Sequence, residues 1–133
     1  MHLIFCVDER DGLSFCGRRL SQDRELISHM LNLTSGSELW IHPYSAKLFP
    51  AGSALLDEDY LRKANKGDYC FVEKGPFPEV WKSVESVTLY HWNRAYRSTE
   101  RFPRSLLKNM YIETTEDFSG NSHEKITMER YVP

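Results

Sequence analysis

Residues 2–7, HLIFCV, are apolar almost without a break and do not alternate with polar residues. A strand with one wet face alternates; a strand covered on both faces, as in the middle of a parallel sheet, reads as a continuous apolar run. The run therefore predicts a central strand, and it obliges the rest of the chain to supply helices on both sides of a sheet. Residues 8–17 follow as a ten-residue loop with turn signals at Asp11-Gly12 and Cys16-Gly17, long enough to lie over a site. Ser21 is the expected N-cap of the next helix, with Asp23 and Glu25 in its first turn and Leu26, Ile27, Met30 and Leu31 along one stripe. That helix is expected to stop near residues 34–36.

Further on, residues 38–42 (ELWIH), 69–73 (YCFVE) and 86–92 (SVTLYHW) read as strands. Pro43 suits the first turn of a short helix through Phe49, and residues 57–64, acidic at the start and basic at the end, suit another. Residues 75–78 (GPFP) break the chain before a short helix through Trp81. Residues 110–115 and 125–131 bracket Gly120-Asn121 as a terminal hairpin. The order predicts one α/β domain over residues 1–133, a three-layer sandwich with a mostly parallel sheet and a C-terminal antiparallel hairpin.

A hydrophobic content of 41% excludes a disordered chain, and a net charge of −2 supplies no field that would gather nucleic acid. No stretch approaches the roughly 20 apolar residues of a membrane span, and the first residues lack a signal-peptide layout, so a cytoplasmic protein is expected. Cys6, Cys16 and Cys70 are odd in number and irregularly spaced, which predicts small buried side chains rather than disulfides or a metal site.

Several segments together resemble dihydrofolate reductase in shortened form. Residues 3–8, 12–17 and Leu20-Ser21-Gln22-Asp23 match the family's first strand, mobile glycine loop and L-P-x-D-L; residues 89–103 (LYHWNRAYRSTERFP) match the strand and turn ending in D-T-x-F-P; Asn121-Ser122-His123 with residues 126–131 match its last hairpin. The resemblance implies that fold. It implies a ligand pocket between the 12–17 loop and the following helix, with Asp23 accepting hydrogen bonds from an amidine-like edge and Asp8 as polar support beneath it. The departures point away from reduction. The family's V-I-G-G-G, whose glycines admit the cofactor pyrophosphate, corresponds to Phe71-Val72-Glu73-Lys74-Gly75, and its phosphate-gripping G-R-x-T to His42-Pro43-Tyr44-Ser45, where only Ser45 is comparable. After Phe49 the strand carrying the folate-tail arginine is expected to be missing. The expectation is a protein with no cofactor, neither NADPH nor a metal, that binds a small planar ligand or a protein partner.

A second resemblance is to small proteins of anaerobic Firmicutes that often carry the label ribonuclease Z; Cys6-Val7-Asp8, Arg18-Arg19, Ser21, Asp23-Arg24, residues 67–73 and residues 122–127 carry it. True ribonuclease Z holds two zinc ions with an H-x-H-x-D-H cluster, and this chain has no H-x-H and about half the length that chemistry needs.

The ligand-binding candidates are thus Asp23, Asp8, Ser45 and Arg19, the last within an Arg18, Arg19, Arg24 group suited to phosphate or carboxylate. Their bland alternatives are solvated acids at a helix start and a strand end, and a solvated basic loop. An RNA-cleaving alternative uses His91 or His123, near strand ends with His42, and a basic aromatic segment with Arg94, Arg97 and Arg101. Ordinary hydrogen-bonded histidines and core aromatics are the competing reading of the same residues. An inhibitor or immunity-type partner of another protein is a third role, and an enzyme and a binding protein both stay open.

Overall fold

The computed structural model of the chain describes residues 1–15, 18–19, 23–78, 81, 83–96 and 98–133. Its elements are strands β1 (His2–Val7), β2 (Ser14–Phe15) and β3 (Arg18–Arg19), helix α1 (Arg24–Leu33), strand β4 (Leu39–Ile41), a 3-10 turn (Pro43–Leu48), strand β5 (Leu55–Leu56), helix α2 (Tyr60–Lys63), strands β6 (Tyr69–Phe71) and β7 (Ser86–His91), a second 3-10 turn (Arg104–Leu107), and strands β8 (Tyr111–Phe118) and β9 (Ile126–Val132). Seven strands form one sheet in the order β5-β4-β6-β1-β7-β9-β8. The five from β5 to β7 are parallel, and β9 and β8 close the sheet as an antiparallel hairpin.

The unbroken apolar run of β1 is explained by this position. Ile4 and Cys6 join a core with Leu26, Ile27 and Met30 of α1 on one face, while Leu3, Phe5 and Val7 join a second core with Tyr60 and Ala64 on the other. Two cores on two faces of one sheet make the three layers. Each fully buried aliphatic side chain in them contributes about 1.5–3 kcal/mol. His29 fastens α1 to the far sheet edge: its Nε2 lies 2.6 Å from Glu116 Oε2, its Nδ1 2.8 Å from the Tyr90 hydroxyl, and its ring stacks on Phe118.

Several local expectations shift. Asp23 is the N-cap of α1 rather than part of its first turn, because its carboxylate bonds the amides of Glu25 and Leu26 from an extended backbone. The expected cap Ser21, the Cys16-Gly17 turn, the stretch of the short helix at residues 79–80, and Arg97 lie outside the described residues. Helix α2 is half its expected length, because the Asp57 side chain captures the Asp59 amide at 2.7 Å and holds residues 57–59 in a turn. After Phe49 a two-residue strand does remain: β5 pairs with β4 and leaves Leu55 and Leu56 exposed at the sheet edge. Among the described residues no helix is long and apolar enough to cross a membrane.

Candidate functional site

Asp23, the acid predicted to face a ligand, is only 1% exposed, and its carboxylate is already surrounded by donors from its own chain. Oδ1 accepts from the amides of Glu25 (3.0 Å), Leu26 (3.3 Å) and Asn121 (2.8 Å). Oδ2 accepts from the Ser122 amide (2.8 Å) and hydroxyl (3.3 Å) and faces His123 Nδ1 at 3.2 Å. Burial alone would raise its pKa, but the amides of Asn121 and Ser122 with His123 outweigh it and hold the carboxyl well below the usual range. The hairpin loop that provides these donors therefore sits where the resemblance put a ligand. Gly120 makes the closure fit: a Cβ there would stand 2.7 Å from Asp23 Oδ2 and 2.8 Å from the His123 carbonyl oxygen. Gly120→Ala is expected to destabilise the protein by about 1–3 kcal/mol through overpacking, read as a lower urea midpoint at unchanged slope.

Asp8 is likewise buried and occupied rather than solvated. Its Oδ1 accepts from the amides of Arg10 and Gly12, each at 2.7 Å, and its Oδ2 from the Tyr96 amide at 3.1 Å, so it ties the end of β1 to the 94–101 segment. Arg19 lies on β3, paired with Ser14 of β2; its side chain is outside the described residues.

The histidines of the RNA-cleaving alternative do not converge. Side chains alternate along β7, with Val87 and Leu89 in one core and Tyr90 in the other, so His91 faces away from the side where His123 stacks on Trp92. His91 bonds Glu129 through Nε2 at 2.5 Å. His123 instead forms a short chain: Nδ1 faces Asp23, Nε2 lies 2.8 Å from the Tyr96 hydroxyl, and Arg94 donates to that same hydroxyl at 3.3 Å. An acid that orients an imidazole against a hydroxyl is the layout of acid-base centres. Arg101 is exposed and donates to the Arg10 carbonyl at 3.3 Å.

Ser45, a predicted ligand residue, lines a cavity. A cleft of about 800 Å³ opens at the carboxyl ends of β4 and β6, between the Pro43–Leu48 turn, α2 and residues 73–78. This is the end of a parallel sheet where ligands bind in open α/β folds, and the volume is that of a small-molecule site. Tyr44, Tyr60 and Phe77 are among the residues that line it. Its buried polar pair is Ser45 and Glu73, with the Ser45 hydroxyl donating to Glu73 Oε1 at 2.7 Å. Burial, helped by the charge of Glu73, pushes the Tyr60 phenol up, so it stays neutral. Lys74 Nζ lies 3.8 Å above the centroid of the Tyr44 ring, a cation–π contact. The Gly75 amide donates to Glu100 at 2.8 Å, anchoring the 73–78 segment, and the Gly75-Pro76 peptide is cis.

From the sequence Glu73 reads only as a lost glycine, and Tyr44, Tyr60 and Phe77 carry no site signal of their own. The available signal was a carboxylate at the end of a strand that is otherwise fit for burial. Among the described residues no group of three or more His, Cys, Asp or Glu is placed to hold a metal ion.

No family model matches the sequence, and no curated protein matches it. Among solved structures, a dihydrofolate reductase from Enterococcus faecalis complexed with NADP(H) and RAB-propyl is similar, with a TM-score of 0.68 at 13% identity over 98% of this chain and 94% of that chain. Nothing in the comparisons supports the ribonuclease Z label. At that identity the likeness speaks for architecture, and the chain has a dihydrofolate reductase-like α/β fold.

Proposed function

We propose that this chain binds a small planar ligand in the cleft at the carboxyl ends of β4 and β6, without NADPH-dependent reduction. The observation that carries the reading is the cleft itself: about 800 Å³, lined by Tyr44, Tyr60 and Phe77, with the buried Ser45–Glu73 pair among its walls. Aromatic walls with a few convergent polar groups are the usual composition of such sites. The similar reductase holds two small molecules, which fits a fold suited to the task. Against reduction stands the poor fit of the cofactor: the residue types expected to admit its phosphates are replaced by Glu73 and His42, and Asp23 is enclosed by residues 120–123. A thermal-shift screen of pterins, nucleobases, nucleotides and NADPH tests this. A planar heterocycle should raise the melting temperature while NADPH does not; micromolar NADPH binding together with folate turnover would refute it.

A second reading, cleavage of RNA by acid-base chemistry, is favoured by one arrangement, the Asp23–His123–Tyr96 chain with Arg94 on the phenol oxygen. Incubation of the purified protein with tRNA, with and without chelator, should then give products that His123→Gln abolishes. Intact tRNA under both conditions rules this reading out.

A further inference from the structure

We infer that the cleft holds its planar ligand by an acceptor oxygen, a ring carbonyl, through two uncharged donors, the His42 Nε2–H and the Tyr60 hydroxyl. The inference rests on the ligand-binding reading above and extends it to the class of ligand.

The backbone fixes the tautomer of His42. This residue caps the Pro43–Leu48 turn, and its Nδ1 accepts from the Tyr44 amide at 2.9 Å. A neutral imidazole has one acceptor nitrogen and one N–H, so with Nδ1 accepting the hydrogen is on Nε2. Among the described residues nothing accepts from that N–H, and it is not sealed from solvent.

Tyr60 brings the second donor. Its ring is only 5% exposed and packs in the second core, at the start of α2. A buried tyrosine ordinarily finds a partner for its hydroxyl. The Tyr60 hydroxyl has none among the described residues and is not sealed from solvent, and the residue lines the cleft. Burial pushes the phenol up, so it keeps its proton and can donate. The rings of His42 and Tyr60 meet edge to face with centroids 6.2 Å apart, close enough for one ligand to reach both.

Other groups of the wall are engaged: the Ser45 hydroxyl donates to Glu73, and Lys74 Nζ lies over the Tyr44 ring. Because neither free donor carries a charge, a neutral carbonyl oxygen matches them. A hydrocarbon of the same shape would strip water from both and leave them unpaired, and that asymmetry makes such a site selective.

1-Indanone and indane share a nearly flat bicyclic shape and differ by one carbonyl, so their binding to the whole chain isolates the acceptor. Titration followed by NMR should show 1-indanone binding at least about tenfold tighter than indane, with shifts at the His42 ring and the Tyr44 amide. The 15N signals of the His42 ring should place the hydrogen on Nε2. Tyr60→Phe breaks no hydrogen bond among the described residues, so its melting temperature should be unchanged. It should weaken 1-indanone at least about fivefold and leave indane within about twofold of its original affinity. Equal binding of the two probes, unchanged 1-indanone binding in Tyr60→Phe, or the His42 hydrogen on Nδ1 overturns the inference and leaves the ligand-binding reading standing. If neither probe shifts any cleft residue, the ligand-binding reading falls, and this inference with it. Should Tyr60→Phe not fold, the probe ratio and the His42 tautomer of the unaltered chain decide.

Discussion

Asp23→Asn should lower the stability of the fold by about 3 kcal/mol, because it removes a buried charge that closes two distant segments at once. An amide side chain is nearly isosteric but keeps only one acceptor. With its oxygen toward the amides of Glu25, Leu26 and Asn121, its NH2 faces the Ser122 amide donor, so one buried N–H loses its partner. The same substitution should flatten part of the acid dependence. In the unfolded chain an aspartate titrates near its reference value of about 3.9, whereas in the folded protein Asp23 is held below that range. A depressed folded pKa means that the contribution is fully present above the unfolded value and is lost as pH falls through the folded one. Urea unfolding between neutral and acidic pH should therefore show a loss of stability in the parent on acidification that is smaller in Asp23→Asn. Equal acid dependence in both proteins would mean that the carboxylate does not carry this charge in solution.

Trp92→Ala is expected to cost about 3–5 kcal/mol, the range for truncating a fully buried tryptophan. Trp92 is 1% exposed in the core beneath α1, and its ring stacks on His123 with centroids 4.2 Å apart. Its removal opens a cavity and takes the support from under the imidazole that faces Asp23. Trp92→Phe should be milder than Trp92→Ala, because one ring face is kept and the cavity left behind is smaller. The indole Nε1 is buried without a hydrogen-bond partner among the described residues, so no bond is lost with it. Denaturation curves of the two variants check the pair. A phenylalanine as costly as alanine would mean that keeping a ring face against His123 contributes nothing to stability.

The fold was legible where the signal is local and periodic. The β1 run announced a strand with two covered faces, the Leu26, Ile27, Met30 stripe announced α1, and Gly120-Asn121 marked the closing hairpin. What the candidate residues do was less legible, because their partners are remote in sequence. Asp23 looks like an available helix-start acid until residues 121–123, nearly a hundred positions later, arrive to bond it. Asp8 depends in the same way on Tyr96. His91 and His123 both fall near strand ends, but only the two-residue period of β7, anchored by Leu89 and Tyr90 in opposite cores, separates their faces. Glu73 was visible as a departure from a glycine pattern; that it pairs with Ser45 depends on the parallel alignment of β4 and β6, which brings the two ends together.

We propose that ligand chemistry in this chain belongs to the cleft beside Ser45 and Glu73 and not to the surroundings of Asp23. A crystal structure of the chain soaked with the heterocycle that gives the largest thermal shift tests it most directly. Density against Tyr44 and Phe77, with residues 120–123 still closed over Asp23, is the expected result. Density bonded to Asp23, with Ser122 and His123 displaced from its carboxylate, would contradict it.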